Sequence, residues 1–497
     1  TSRGLGDVYK RQLFDKALSL LPKVKETFVC PSEDQKYSTP LKKGDHVEID
    51  FGKHLVGRLK IKFGYKNSHP DAPVWLKISF AENHKEFEEK VEDYNGWICS
   101  AWVQQEQMHF DLIPAEYTLP RRYSFRYVRI EVLDISSKFD LIIEDAKAIA
   151  VSSADGSRLV SYDNTDEELV NIDRIACATL HDCMQEVFED GPKRDRRLWM
   201  GDLRLQALAN YETYQMNDMV KGCLYLFAAL PMPNGQVGAC LFLEPKPEVD
   251  DTSMFDYSLL FVAALWDYYK QTKDIEALRE LWDTAKTQIS LAMKQVDSDG
   301  TVKDSDKLGW CFLDWSLELN KQAGAQGVLL YAMKSAIAIA HELGKERDAD
   351  CISQTYELYK SAAIRHFYNE EKGLFLSGKS KQISYASQVW LILGGAVSQE
   401  EGLKILHNVA EYEDAIDMVT PYMHHYYIEA LISCGAMDEA LDVMRKYWGG
   451  MAKLGADTFW ELYNPKNPDE SPYGGTIVNS YCHAWSCAPA YFLRKYF

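Results

Sequence analysis

From about residue 38 to 152 the apolar positions recur at every second residue. His46-Val47-Glu48-Ile49-Asp50-Phe51, Leu59-Lys60-Ile61-Lys62-Phe63 and Trp75-Leu76-Lys77-Ile78-Ser79-Phe80 alternate apolar with polar. Tyr127-Val128-Arg129-Ile130-Glu131-Val132 repeats the pattern, and Phe139 to Ala150 adds another strand. Strands with one apolar and one polar face, separated by turn-rich spacers, predict an antiparallel β-sandwich. This half shows no nucleophile or metal constellation.

After about residue 160 the period becomes 3.6, with Leu169, Ile172, Ile175, Leu180, Cys183 and Val187 on one helical face. The pattern predicts about twelve helices, near 165–188, 203–216, 219–229, 256–272, 274–296, 322–343, 346–368, 383–394, 398–409, 419–434, 436–449 and 478–495. Short connections such as Thr272-Lys273-Asp274, Leu343-Gly344-Lys345 and Cys434-Gly435 make neighbours antiparallel. Six such hairpins can close into a double-layered (α/α)6 barrel, and no short repeat favours a solenoid instead. The expected division is a β-sandwich over 13–155 and an all-α barrel over 160–497. Residues Thr1 to Gln12 (TSRGLGDVYKRQ) read as a cloning or read-assembly remnant outside the fold. Val151 to Asn164 is polar but too short for a flexible linker, so the sandwich is expected to be inseparable from the barrel.

Charge narrows the partners. Among 497 residues, 55 Lys and Arg against 74 Asp and Glu leave a net charge of −19. A surface this acidic, without a local basic patch, repels phosphate backbones and excludes nucleic acid as a partner. The 46% hydrophobic and 26% charged fractions are those of a folded chain. The densest apolar run, Leu259 to Trp266, is eight residues long, against the roughly 18 a membrane helix needs. No basic-apolar-small signal opens the chain. Eleven scattered cysteines, without CxxC or HExxH spacing or glycosylation sequons, favour reduced thiols and a cytoplasmic location. His424-His425 makes a poor chelate, because adjacent helical residues point about 100° apart. No metal or cofactor is implied.

In a barrel of hairpins, chemistry belongs in the long loops, here 189–202, 230–255, 297–321, 369–382 and 450–477. The first runs Glu189-Asp190-Gly191-Pro192-Lys193-Arg194-Asp195-Arg196-Arg197-Leu198-Trp199-Met200-Gly201-Asp202. Arginines hold carboxylates ionised, whereas an indole neighbour favours the protonated acid, so this loop can hold both kinds. A solvated charged loop with Asp202 capping a helix would have the same composition. The second is Thr458-Phe459-Trp460-Glu461-Leu462-Tyr463, a carboxylate among aromatics that suits a sugar subsite. It would equally suit a loop Glu paired to an Arg. Phe255-Asp256-Tyr257, Phe312-Leu313-Asp314-Trp315 and His483-Ala484-Trp485 also place polar groups beside aromatics near helix ends.

Asp190-Gly191-Pro192-Lys193-Arg194-Asp195, continuing to Trp199-Met200-Gly201-Asp202, resembles the signature loop of bacterial α-L-rhamnosidases of glycoside hydrolase family 78. Phe255-Asp256-Tyr257-Ser258, Phe312-Leu313-Asp314-Trp315, Tyr447-Trp448-Gly449-Gly450-Met451, Thr458-Phe459-Trp460-Glu461 and Ser480-Tyr481-Cys482-His483-Ala484-Trp485-Ser486 follow in the family's order. Ile49-Asp50-Phe51-Gly52 and Phe125-Arg126-Tyr127-Val128-Arg129-Ile130 are similar to its β-sandwich. Two features depart from the family pattern. Many members carry Glu where this sequence has Asp195, one methylene shorter. The chain also ends at Phe497, directly after the last helix, where members usually continue into a further β-sandwich.

The resemblance implies an inverting exo-glycosidase that releases terminal α-L-rhamnose from glycosides or oligosaccharides, with Asp195 as acid and Glu461 as base. Inversion places such carboxyls about 6.5–9.5 Å apart. The resemblance further implies that Asp190, Arg194, Trp199, Asp202, Asp256, Asp314, Trp315, Trp460, His483 and Trp485 bind substrate. Three alternatives stand beside it. The same machinery would serve another deoxy-sugar, or a uronic acid neutralised by Arg196 or Arg197. A carbohydrate-binding protein with weakened catalysis and a polysaccharide lyase complete the set.

Overall fold

The computed structural model describes residues 2–497. Seven strands form an antiparallel N-terminal domain: β1 (Lys25–Val29), β2 (His46–Asn67), β3 (Val74–Ala81), β4 (Gln105–Phe110), β5 (Ala115–Thr118), β6 (Tyr123–Asp134) and β7 (Phe139–Ser152). Their order is β1-β7-β2-β6-β3-β4, with β5 added on β2. The 22-residue β2 pairs with β6 from His46 to Gly57, across a bulge between Asp50 and Leu55, and with β7 and β5 through its second half. At that bulge Gly52 takes φ +76°, which a side chain would resist. Two strands lie between β2 and β4 in the sheet, yet Phe63 meets Phe110 with ring centroids 5.0 Å apart. The sheet is therefore folded over on itself, closing the alternating apolar faces around one core.

The second domain is helical: α2 (Glu167–Cys183), α3 (Met200–Glu212), α4 (Asn217–Ala229), α5 (Phe255–Thr272), α6 (Ile275–Met293), α7 (Ser305–Leu308), α8 (Gln322–Glu342), α9 (Glu346–Phe367), α10 (Tyr385–Leu393), α11 (Gln399–Ala410), α12 (Pro421–Ser433), α13 (Met437–Lys453) and α14 (Ala488–Tyr496). Helices α3, α5, α8, α10, α12 and α14 form the inner ring, which closes where His425 of α12 meets Phe492 of α14, ring centroids 4.8 Å apart, and α14 returns to α3. The inner helices α3, α5, α10 and α12 are buried nearly all round, α3 with several polar side chains among its buried residues. Outer helices such as α6, α11 and α13 keep a polar face outward. Helix α8 is long and apolar enough to cross a bilayer, contrary to the absence read from the sequence, but it is mostly buried within the protein. Its Gly327 lies where a Cβ would stand 2.3 Å from Trp390 of α10, so the two helices approach backbone to backbone.

Two expectations are corrected here. Ser2–Leu20 forms a further helix, α1, and Leu13 and Ala17 belong to the core of the helical domain, not to the sandwich. α1 lies on α4, whose Gly222 leaves room for Leu20 and Leu21. This explains why α4 is buried although it sits in the outer layer. The helix expected over 478–495 begins only at Ala488; the stretch before it is two 3-10 turns joined by extended chain.

Between β3 and β4 the sandwich sends a strap, residues 82–104, onto the helical domain. Glu89 accepts from the amides of Thr476 and Ile477 at 2.8 and 3.2 Å, and Glu86 is ion-paired to Lys193. Arg122 forks onto Glu189 at 2.9 and 2.7 Å. The sandwich thus braces both loops that the sequence marked for chemistry.

Candidate active site

One cavity gathers most of those residues. Asp190, Arg194, Asp195, Trp199, Asp202, Trp315, Glu461, His483 and Trp485 all line it. Each is placed by local bonds. The signature loop closes on itself through Asp190 N–H to Arg197 O (3.0 Å) and Arg197 N–H to Asp190 Oδ1 (3.1 Å). A two-residue strand, β8 (Leu198–Trp199), pairs with β9 (Cys240–Phe242) and fixes Trp199. Asp195 and Arg196 both take left-handed backbone, φ +64° and +56°, an uncommon conformation for residues with side chains and one that gathers at functional sites.

Glu461 sits on an extended stretch after α13. Its amide donates to Ser480 O (3.0 Å) and its carbonyl accepts from the Trp485 indole (2.9 Å). Its carboxylate is ion-paired to Arg194 and accepts the Tyr473 hydroxyl hydrogen. Arg194 also donates to Val478 O (3.0 Å) and lies over the Tyr473 ring, 4.3 Å from its centroid. Its bonds are thus used to hold Glu461. Both readings of Glu461 apply, a carboxylate in an aromatic pocket and a loop Glu paired to an Arg.

Burial bears on three of the cavity's carboxyls. Burial pushes Asp190 well above the usual carboxylate range, helped by the charges of Asp195 and Asp202. Asp202 is pushed well up by burial against the Tyr257 hydrogen bond, which pulls it down. These shifts favour the neutral acids, which can donate as well as accept. Burial also raises Glu461, while Arg194 and Tyr473 pull it back. His483 is driven well below the usual imidazole value by burial and the Arg194 charge. Its Nε2 is 3.8 Å from Asp190 and 3.9 Å from Asp202, so a neutral imidazole faces two acids of reduced charge. Trp199 Nε1, Arg197 Nε and His483 Nδ1 are buried without a protein partner. Buried polar atoms are nearly always bonded, so unpartnered ones around a cavity point to a polar ligand.

Three expected substrate contacts lie elsewhere. Asp256 accepts from the amides of Phe312 (3.0 Å) and Leu313 (2.9 Å), tying the 311–315 loop to the start of α5. Asp314 accepts from Val419 N–H (2.7 Å), Thr420 N–H (3.0 Å) and Thr420 Oγ1 (2.7 Å), and burial raises it to about 6. Trp460 packs between Tyr463 and Tyr481, 5.7 and 5.4 Å away, outside the cavity. In each case the residue type suits either role, and the side chain turns to the nearest unpaired amides or apolar core. Asp256→Ala is expected to lower stability by about 1–3 kcal/mol per orphaned amide in denaturant titration. An unchanged midpoint would mean the loop is held by other bonds.

The sequence reading missed Tyr473, Tyr257, Phe312 and Trp310 as lining residues, and Trp97 and Ile98 from the strap. Tyr473 had one usable signal, its place in the loop that follows Glu461. Trp97 had none, because a β-half residue reaches the cavity only through the domain contact. Arg196, offered as a uronic-acid partner, instead donates to Arg122 O at 2.8 Å, whereas Arg197 does line the cavity.

Residues 21–150 match the glycosyl hydrolase family 78 alpha-rhamnosidase N-terminal domain. Residues 159–497 match the bacterial alpha-L-rhamnosidase 6 hairpin glycosidase domain. Among solved structures, a rhamnosidase from Klebsiella oxytoca with rhamnose bound is similar at TM-score 0.94 and 43% identity, over 98% of each chain. A family 78 rhamnosidase of Bacillus sp. GL1 shares the fold at TM-score 0.77 and 21% identity, over 90% of this chain and 46% of that one. The α-L-rhamnosidase of Streptomyces avermitilis complexed with L-rhamnose does so at 0.69 and 16%, over 95% and 44%. No curated protein sequence matches.

Proposed function

The chain belongs to glycoside hydrolase family 78, the α-L-rhamnosidases with a six-hairpin domain, and on that premise we propose that it releases terminal α-L-rhamnose with inversion at the anomeric carbon. Asp195 is the general acid, giving its proton to the glycosidic oxygen as the bond breaks. Glu461 is the general base, taking a proton from the water that attacks the opposite face of the sugar. The observation that carries this division is the unequal setting of the two carboxyls. Both oxygens of Glu461 are engaged, by Arg194 and Tyr473, which stabilise the ionised form a base needs. The Asp195 side chain is 25% exposed, against 4% for Glu461, which sets it toward the mouth where a leaving group departs.

Asp190 and Asp202, with the unpartnered donors of Trp199, Arg197 and His483, would hold the sugar hydroxyls. Trp315, Trp485 and Phe312 offer apolar faces to ring C–H groups and the 6-methyl of a deoxy-sugar. The buried floor favours removal of one terminal residue. Arg194 acts as a positioning residue for Glu461.

A panel of p-nitrophenyl glycosides tests the sugar, with the α-L-rhamnoside expected to be cleaved fastest. NMR of the nascent product, before mutarotation, tests stereochemistry: the β-anomer is expected first. Initial α-anomer would mean retention and would make Glu461 a nucleophile.

Tyr473→Phe removes a bond that lowers the Glu461 pKa, so the base should ionise at higher pH. The acidic limb of kcat against pH is therefore expected to move upward. A limb that stays in place would show that it does not report Glu461.

A further inference from the structure

Two consecutive cations of the signature loop are buried: the Lys193 and Arg194 side chains are 1% and 5% exposed. Lysine is almost never this deep unless its charge is met. Arg194 is explained by Glu461, whereas Lys193 is not among the residues lining the cavity. Its ammonium nevertheless has all three donors used. It is ion-paired to Glu86 of the strap and donates to Ile477 O at 2.9 Å and Asn479 O at 2.8 Å. Glu86 is held in turn, its second oxygen accepting the Glu82 and Asn83 amides at 2.7 and 3.0 Å.

The carbonyl between those two acceptors belongs to Val478, and it receives Arg194 Nε–H at 3.0 Å. Two neighbouring residues of one loop therefore grip three successive carbonyls of another, Lys193 the outer pair and Arg194 the middle one. One residue further on, Ser480 O receives the Glu461 amide at 3.0 Å. A guanidinium is planar and rigid, so anchoring Nε at Val478 O decides where Nη2 points. Nη2 is the nitrogen that meets the Glu461 carboxylate. The other neighbours of Arg194 constrain its direction less: Asp195 is 3.8 Å away, and the Tyr473 ring lies across its face.

We propose that Lys193 is a positioning residue for the base: balanced by Glu86, it fixes the 477–479 carbonyls that aim Arg194 at Glu461. This deepens the proposed reading and rests on Glu461 being the base. It also gives the sandwich a part in turnover, because the counter-ion that keeps Lys193 buried comes from the strap. The chain of contacts is short. Glu86 holds Lys193, Lys193 holds Ile477 and Asn479, Val478 between them holds Arg194, and Arg194 holds Glu461.

The test uses the whole protein with Glu86→Gln and Lys193→Met combined, so that no buried charge is stranded and the two removed charges cancel. Its kcat on p-nitrophenyl α-L-rhamnoside is expected to fall about 10- to 100-fold, as a misaimed catalytic group gives, with KM little changed. The acidic limb of kcat should also move upward by about one pH unit, because the Arg194 charge is what pulls Glu461 down. Glu461 also faces Tyr473, Asp195, Glu82 and Asp202, all kept in the variant, so the shift reports Arg194. Glu86→Gln with Lys193→Gln leaves an amide that can still donate to a carbonyl, and should keep more of the rate. If the Met variant does not fold, the Gln variant carries the comparison, with a smaller fall and shift expected. An unmoved limb with normal kcat would overturn the proposal. So would a rise in KM matching the fall in kcat, which a loop displaced as a whole would give, and so would a Gln variant as impaired as the Met one. Glu461→Gln, measured alongside, separates the two readings. If it stays active the base assignment falls, and a crystal structure of the combined variant then judges the aiming of Arg194 alone. Arg194 turned away from Glu461 would uphold that aiming, and an intact pair would overturn it.

Discussion

Asp195→Asn is expected to lower kcat/KM on a rhamnoside with a poor leaving group by about 10²–10⁴-fold, with thermal unfolding unchanged. Position 195 has φ +64°, and Asn tolerates left-handed backbone at least as well as Asp, so the substitution adds no strain. Its one ion pair, with Arg194, is long at 3.8 Å. The loss therefore reads chemistry rather than folding. A general acid matters most when the departing oxygen is basic, so p-nitrophenyl substrate should lose much less than an alkyl or sugar rhamnoside. Glu461→Gln should behave differently, losing about 10²–10⁴-fold on every substrate alike, because water must be activated whatever leaves. It should also lose stability, since Arg194 would remain buried opposite an uncharged amide. If Asp195→Asn kept near-normal rates on poor leaving groups, Asp195 would not be the acid. Asp190 would then be the candidate, being raised already by burial, whereas Glu189 is occupied by Arg122.

The architecture was legible because it is written in local periods. The apolar faces of Leu169, Ile172 and Ile175, and of Ile61 and Phe63, announce helix and strand without knowledge of their partners. The signature loop was legible for another reason, its likeness to a family motif, although Lys193 and Arg194 bond to residues outside it. The misses share a non-local cause. Asp256 and Asp314 look like site carboxylates, but amides some 50 and 100 residues away in sequence decide what they bind. Trp97 enters the cavity only because Gly96 and Gly474 let two domains touch. Residues 13–20 carry too short an apolar pattern to say which core they join, and Gly222 of α4 settles it.

His54→Ala is expected to cost about 3–5 kcal/mol of stability and to slow turnover as well. His54, on β2, is buried where the two domains meet, with Nδ1 2.6 Å from Asp182 of α2 and Nε2 2.7 Å from Glu82 after β3. Ser124 Oγ stands 3.0 Å from the same nitrogen. Although burial disfavours its charge, hydrogen bonds and attraction from the two carboxylates hold the imidazole pKa well above 6.5, and His54 in turn helps pull Asp182 down to about 2. A doubly donating imidazolium thus balances two buried acids, and alanine leaves Glu82 without that counter-charge and Asp182 with His181 alone, 2.8 Å away. Because the folded pKa is raised, this stabilisation is full below about pH 6.5 and is lost as pH rises through the raised value. The stability gap between wild type and His54→Ala should therefore narrow in alkaline solution, as chemical denaturation across pH would show. Glu82 also accepts from Tyr481 N–H at 2.9 Å, beside the Ser480 carbonyl that receives the Glu461 amide. Loosening this cluster thus reaches the base. The companion variant His54→Leu with Glu82→Gln and Asp182→Asn carries no stranded charge and should recover much of the stability. If it were as unstable as His54→Ala, the loss would come from packing, and charge balance would not be what joins the domains here.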